Sequence, residues 1–206
     1  MDIFRALMNN SLVLIAVVFL YGELNLRLIK NKLLNKIVIG LLIGVFIIII
    51  MLNPWDTGQG VYYDTRTVLI SVVGLFFGWL PTVIAGTIGI VYRLSNWNAG
   101  AIAGALSIFL TALFGVLYGK FRIQKRKRYL GVEYFVFGIL DTFLMLAAQL
   151  TIPTDTWTHI SNIILPVMLI YPLATMLVSV AIRNKKIRMD DAIRLENSEK
   201  MLAARD

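Results

Sequence analysis

The chain has 206 residues, of which 58% are hydrophobic and only 16% are charged. About a quarter of the residues in a soluble domain are charged, so this composition excludes an ordinary soluble domain and predicts a membrane domain. The net charge of +8 would suggest nucleic acid as partner of a soluble protein. Here the basic residues flank apolar runs, which favours cytoplasmic loops and anionic membrane lipid instead, with no nucleic-acid partner.

Six apolar runs follow one another along the chain, at 3–21, 37–52, 67–92, 99–118, 131–150 and 160–182. The first is not followed by a small-residue cleavage site, so we expect a retained span rather than a signal peptide. Segments 22–36 and 119–130, and the residues after 182, are rich in Lys and Arg and therefore belong in the cytoplasm. Segments 53–65 and 151–161 contain neither residue and belong outside.

These assignments require the run 67–92 to begin and end outside, because the next run has to start outside. We therefore predict a short hairpin of two helices, about 67–79 and 82–92, that turns near residues 78–81, where Pro81 suits the first turn of the second helix. The alternative is one long tilted helix that places Arg93 in the cytoplasm. The hairpin gives an all-α polytopic membrane protein of about seven helices, with the N-terminus outside and the C-terminus in the cytoplasm.

Glycines recur three or four residues apart within the apolar runs: Gly74 and Gly78, Gly86 and Gly89, Gly100 and Gly104, Gly115 and Gly119. In membranes this spacing lets helix backbones approach closely. Most of these glycines therefore predict packing surfaces, and some could form a pocket floor.

The composition changes after the last apolar run. Residues 183–206 are charged, lack Gly and Pro, and favour helix, which predicts a stiff helix that continues the last span into the cytoplasm. Ala192, Leu195 and Leu202 have heptad-like spacing, although a solvated tail fits the pattern equally well. We divide the chain into a transmembrane ligand-sensing domain, 1–182, and a signalling helix, 183–206, that leads to an output domain absent from this sequence.

Two arginines bracket the predicted hairpin. Arg66 precedes its first helix and Arg93 follows its second, with no charged residue between them. Each guanidinium can pair with a carboxylate or phosphate through two bonds, and the helix N-terminus at Arg66 also favours an anion. The pair predicts an anion-binding site that opens outside. The alternative is that each arginine only extends to the lipid headgroups.

Polar and aromatic residues near the arginines complete the predicted ligand site: Asp64, Asn96, Asn98, Ser107, Trp55 and Tyr63. The first of these could pair with either arginine and hold it in place. The 53–65 loop has the length and aromatic residues of a lid, although interfacial aromatic belts have the same composition.

Two further polar residues lie inside the run 131–150. Asp141 is near its middle, where an acid is costly and needs a partner, and Gln149 lies nearer the outside. A structural hydrogen bond and a functional role are both open for them. The chain has no cysteine and one histidine, His159, so we expect no metal and no cofactor. A membrane enzyme ranks third among the possible functions, because no sequence pattern brings the few acid–base residues together.

Four motifs occur in a characteristic order: Asp64-Thr65-Arg66, the GLFFGWLP of residues 74–81, Tyr92-Arg93-Leu94, and the glycines at 100 and 104. This order resembles the LytS/YhcK-type transmembrane receptor family, the membrane input domain of bacterial sensor kinases and diguanylate cyclases. Where that family has a glycine pair after the second arginine, this chain has Asn96-Trp97-Asn98. The resemblance covers about residues 1–185.

The resemblance implies a multi-pass sensor in the bacterial inner membrane. It would bind a small extracellular anionic metabolite, such as a carboxylate, and pass the signal through the last helix to a histidine kinase or diguanylate cyclase. We expect a homodimer formed through the C-terminal helix. The alternative is the substrate-binding component of a small-molecule transporter, because the last six helices are also similar to that of energy-coupling-factor transporters.

Overall fold

The computed structural model describes residues 10, 12–17, 31–56, 61–121, 130–152 and 157–203. Its elements, in chain order, are α1 (Lys32–Met51), β1 (Trp55–Asp56), β2 (Tyr62–Tyr63), α2 (Arg66–Phe77), α3 (Trp79–Ser95), α4 (Ala101–Phe121), α5 (Leu130–Ala148), a 3-10 turn (Gln149–Thr151) and α6 (Trp157–Ala203). Residues 10 and 12–17 are also helical and precede α1.

Four helical segments of the described chain are long and apolar enough to cross a membrane: Lys32–Met51, Ala101–Phe121, Gly131–Thr151 and Ile163–Met189. They support the prediction of a membrane protein. Most of the first apolar run and most of the basic loop 119–130 lie outside the described residues. The count of seven crossings and the placement of the two termini therefore stay predictions.

The run 67–92 consists of two helices, as predicted, and the turn between them is a single residue. Gly78 has a φ of 79°, a backbone conformation that residues with a Cβ atom rarely adopt. This turn lies within the predicted residues 78–81, and the second helix begins at Trp79, three residues earlier than predicted. Because glycine alone makes the reversal, Pro81 lies in the first turn of α3, where its missing N–H costs no hydrogen bond.

The short helix α2 lies at the centre of the molecule. All its residues from Arg66 to Leu75 are buried. A helix of 12 residues is about 18 Å long, which is shorter than the hydrocarbon core of a bilayer. Neighbouring helices therefore shield α2 from lipid, one of the two arrangements that a short hairpin allows.

Glycines bring the backbones of α2 and α4 together. A Cβ atom on Gly119 would lie 2.7 Å from the carbonyl oxygen of Leu75, and one on Gly115 would collide with the backbone of Ser71. From the opposite side, a Cβ on Gly74 would lie 2.7 Å from a backbone nitrogen of α4. These three glycines are packing surfaces, as predicted.

The remaining glycines of the predicted pairs differ in whether they permit close helix packing. A Cβ on Gly89 would lie 2.9 Å from Ile47 of α1, so this glycine also permits close packing. Gly78 and Gly86 are not positions of close backbone approach. No atom would lie within 4 Å of a Cβ on Gly78, and a Cβ on Gly86 would make only ordinary van der Waals contacts.

A small antiparallel hairpin departs from the all-α prediction. Trp55 pairs with Tyr63 and Asp56 with Tyr62, between α1 and α2. Aromatic residues favour extended strands, which explains why Trp55, Tyr62 and Tyr63 lie in two short strands. The hairpin places successive side chains on opposite faces.

Helix α6 is 47 residues long and continues past residue 182 into the charged tail. It contains Pro166 and Pro172. The second proline packs closely on α5, because a Cβ on Gly138 would lie 2.8 Å from its Cα atom. One helix therefore joins the apolar part of the chain to its polar end.

Candidate functional site

A cavity of about 460 Å³ opens where α2 begins and α3 ends. Five of the predicted site residues line it: Asp64, Arg66, Arg93, Asn96 and Asn98. Its other walls are formed by apolar and aromatic residues, namely Met51, Leu52, Pro54, Tyr62, Tyr92 and Trp97. We call it the outer cavity.

Asp64 holds Arg66 at the entrance of α2. The carboxylate accepts a hydrogen bond from Arg66 Nη1 at 2.6 Å and another from the Arg66 backbone N–H at 3.0 Å. The acid therefore also satisfies a free N–H at the helix N-terminus. Both side chains are buried, and the Nε atom of Arg66 has no hydrogen-bond partner among the described atoms.

Arg93 is held by neutral groups. Its Nη1 donates to the carbonyl oxygen of Asn96 at 3.0 Å, and its Nη2 donates to Oδ1 of Asn98 at 2.6 Å. The guanidinium carbon lies 5.6 Å from the ring centroid of Tyr62, within range of a cation–π contact. Its Nε has no partner among the described atoms, although the side chain is only 3% exposed.

The two guanidinium groups meet over Gly104. A Cβ atom on this glycine would lie 2.6 Å from Arg93 Nε and 2.8 Å from Arg66 Nη2. Gly104 thus leaves room for both arginine side chains. The alternative of one long helix through 67–92 was wrong, because such a helix would have placed these arginines at opposite ends.

A second, smaller polar space lies beside Arg66. It is about 10 Å³, room for a single water molecule, and we call it the inner chamber. The predicted site residues Tyr63 and Ser107 line it, as does Gln149, and none of these three lines the outer cavity. Burial raises the pKa of Tyr63 to about 12, so its phenol stays protonated at neutral pH.

Two predicted residues lie elsewhere. Trp55 lines neither cavity; it pairs with Tyr63 across the hairpin and packs, partly buried, against the apolar core. Asp141 accepts a hydrogen bond from Ser71 Oγ at 2.9 Å, and its other carboxylate oxygen has no partner among the described atoms. Its partner is therefore a hydroxyl group, and neither cavity includes it.

Sequence reasoning missed several wall residues and one long-range contact. Met51, Leu52, Pro54 and Tyr92 line the outer cavity but carry no charge that would distinguish them in an apolar chain. Tyr171 of α6 donates a hydrogen bond to the carbonyl oxygen of Asp64 at 2.6 Å. A tyrosine within an apolar run needs a partner for its hydroxyl, which was the available signal.

Comparison with known proteins gives one result. The family model described as 5TMR of 5TMR-LYT matches residues 18–185, which include α1 to α5 and the apolar part of α6. No significant match was found among curated proteins or among solved structures.

Proposed function

Because the chain belongs to the LytS-type transmembrane receptor family, a family of membrane sensor domains, we propose that it is the input domain of a bacterial signalling receptor. In this proposal it binds a small extracellular anionic metabolite, above all a carboxylate, in the outer cavity. The matched family is not an enzyme family.

One observation carries the proposal: two buried arginines converge on Gly104 with one acid beside them. Arg66 is paired with Asp64, whereas the described partners of Arg93 are neutral. A buried cation without a counter-charge is costly, so the site is complete only when an anion enters. The unpartnered Nε–H groups of both arginines are donors for such an anion.

The shape of the cavity favours a small molecule with an apolar part. A carboxylate can accept two parallel hydrogen bonds from one guanidinium. The rings of Tyr62, Tyr92 and Trp97 offer apolar surface to the rest of the ligand. A volume of about 460 Å³ is in the lower half of the range of small-molecule sites.

The route by which the signal leaves the domain is suggested by α6, which is one continuous helix. Ligand acts only through different affinities for two states, and α6 extends from the core into the charged tail. We propose that this helix passes the change to a histidine kinase or diguanylate cyclase that follows the chain. The tail, where Leu195 and Met201 are exposed, would pair with the same helix of a second copy in the inner membrane.

Thermal unfolding of the detergent-solubilised protein tests the binding proposal. We expect at least one of acetate, lactate, succinate and benzoate to raise the unfolding temperature of the wild type. Arg66→Ala and Arg93→Ala should each abolish that rise, measured against the ligand-free temperature of the same variant. Arg93→Lys should weaken it, because an ammonium keeps the charge but lacks the planar fork.

Arg188→Ala is the matched control, because Arg188 is an exposed arginine of the tail. It should leave the rise intact. A rise that survives both cavity variants would mean that the arginines only contact headgroups. Uptake of the carboxylate into vesicles would favour the transporter component instead.

A further inference from the structure

Helix α6 reaches the anion site through one side chain. Among the described residues that line the two cavities, Tyr171 is the residue that α6 contributes. Its hydroxyl donates to the carbonyl oxygen of Asp64 at 2.6 Å, and the side chain is 2% exposed. A buried hydrogen bond of this kind joins positions 107 residues apart in the chain.

Asp64 takes part in both the Tyr171 contact and the anion site. Its carbonyl oxygen is held by Tyr171, and its carboxylate is held by the side chain and backbone of Arg66. An anion that pairs with Arg66 competes with this carboxylate for the Nη1 donor. Binding therefore changes the forces on the residue to which Tyr171 is bonded.

The helix is weakened beside Tyr171. Pro172 follows it directly and lacks an N–H group, so the carbonyl oxygen of Met168 loses its partner in the helix. Pro166 causes a second interruption one and a half turns earlier. Prolines are the usual sites at which long helices bend, so a pull on Tyr171 acts at a point where α6 can change direction.

We propose that Tyr171 is the positioning residue that couples the anion site to α6. It acts by tying the Asp64 backbone to the proline-interrupted part of this helix. The inference rests on the proposed function, since it takes Arg66 as a ligand of the anion. When the anion draws Arg66 away from Asp64, the segment before α2 shifts, and the Tyr171 hydrogen bond transfers the shift to α6.

The absence of cysteine allows a clean distance measurement. Spin labels at Lys32→Cys and Ser198→Cys, both exposed positions, report where the tail lies relative to α1. The protein is placed in nanodiscs, and labelled copies are diluted with unlabelled protein so that only pairs within one copy contribute. Distances are recorded without anion and with saturating acetate, lactate, succinate or benzoate.

Tyr171→Phe keeps the ring and removes only the hydroxyl group. Tyr134→Phe is the matched control, because that tyrosine is also buried and its hydroxyl has no partner among the described atoms. Shifts of 1–2 Å at helix contacts are typical of such switches, and Ser198 lies about 40 Å along α6 from Tyr171. A small change in direction should therefore move the label by roughly 3 Å or more.

We expect the bound anion to move the label in the wild type and in Tyr134→Phe, and to have no effect on its position in Tyr171→Phe. Without anion, Tyr171→Phe should already differ from the wild type. Its anion affinity, from the thermal assay, should change less than about threefold, because the hydroxyl does not line the outer cavity.

An anion-free distribution identical in the wild type and Tyr171→Phe would overturn the coupling role. So would a loss of affinity above tenfold with the label still responding, which would make Tyr171 part of the ligand site. If no carboxylate stabilises the wild type, the proposed function fails by itself, and the anion-free samples still decide whether Tyr171 holds α6.

Discussion

At the scale of single residues, the charges of the outer cavity do not balance. Asp64 neutralises Arg66, and Arg93 is surrounded by an amide oxygen, a carbonyl oxygen and an aromatic ring. Each of these partners stabilises a cation less than a full negative charge does. Asp64 therefore has two opposite effects on the binding of an anion. It holds Arg66 in position, which favours binding, and its negative charge repels the anion.

Asp64→Asn should separate these effects. Asparagine retains an oxygen that can cap α2, so we expect Arg66 to stay near its position. Removing a negative charge about 4 Å from the anion is worth roughly 1 kcal/mol in bulk water and about 4 kcal/mol at an effective dielectric constant of 20. We expect carboxylate affinity, measured by calorimetry, to rise about tenfold.

Asp56→Asn is the control for Asp64→Asn. It makes the same chemical change in β1, at a residue that does not line the cavity, and should leave affinity within about twofold. Weaker binding by Asp64→Asn would show that positioning of Arg66 outweighs repulsion.

The pairing of Asp141 with Ser71 gives a prediction about stability. Ser71→Ala removes the hydroxyl that donates to Oδ2 of Asp141, so neither carboxylate oxygen then has a described partner. We expect a loss of about 1–3 kcal/mol in the free energy of unfolding. Carboxylate affinity should be unchanged, because neither residue lines a cavity.

Ser179→Ala provides the comparison. This serine of α6 is equally buried, and its hydroxyl has no partner among the described atoms, so its removal should cost less than about 0.5 kcal/mol. Equal losses in the two variants, measured by denaturant titration in micelles, would argue against a hydrogen bond that supports the acid.

The sequence predicted which residues lie beside the outer cavity better than it predicted their contacts. Arg66 and Arg93 are conspicuous because they bracket a long stretch without any charged residue, and Asn96 and Asn98 come soon after Arg93. Trp55 lines neither cavity, because the direction of its side chain depends on the register of a two-residue strand. The Tyr171 contact depends on how two helices meet in space, which no local pattern contains.

At the scale of the elements, the contact between α2 and α4 fixes the position of Arg66. The two backbones touch at Gly74, Gly115 and Gly119, so any added atom there separates the helices. The sequence predicted a hairpin because the flanking loops require an even number of crossings. It placed the turn only within residues 78–81, because proline and glycine both mark turns and only glycine takes the observed φ of 79° at Gly78.

Gly115→Ala tests this contact. The new methyl group would collide with the backbone of Ser71, which cannot move aside as a flexible side chain can. We expect a loss of about 1–3 kcal/mol in stability, with weaker carboxylate binding because α2 carries Arg66.

Gly86→Ala, in the interior of α3, is the matched change for Gly115→Ala. Its nearest contacts would be at 3.9 and 4.0 Å, so we expect it to be neutral or to stabilise by up to about 1 kcal/mol through helix propensity. Similar losses in both variants, compared by thermal unfolding, would contradict close packing at Gly115.

At the scale of the whole molecule, the site and the polar tail are joined by α6, and the direction of signalling depends on which side of the membrane each occupies. The basic segments 22–36 and 119–130 predict the cytoplasmic side. By that rule the outer cavity faces outside and the tail faces inside. The position of α4 agrees with this orientation, because the helix begins near the cavity and ends at the basic segment 119–130.

Single-cysteine labelling tests this orientation in a chain without native cysteine. Trp97, beside the cavity, is 70% exposed, and Phe121, at the end of α4, is 64% exposed. In spheroplasts, a membrane-impermeant maleimide should label Trp97→Cys and should reach Phe121→Cys and Ser198→Cys only after permeabilisation. Because both ends of α4 are sampled, the result fixes the direction of that helix. The reverse labelling pattern would place the arginines in the cytoplasm, so that the protein would sense an internal anion and its tail would lie outside.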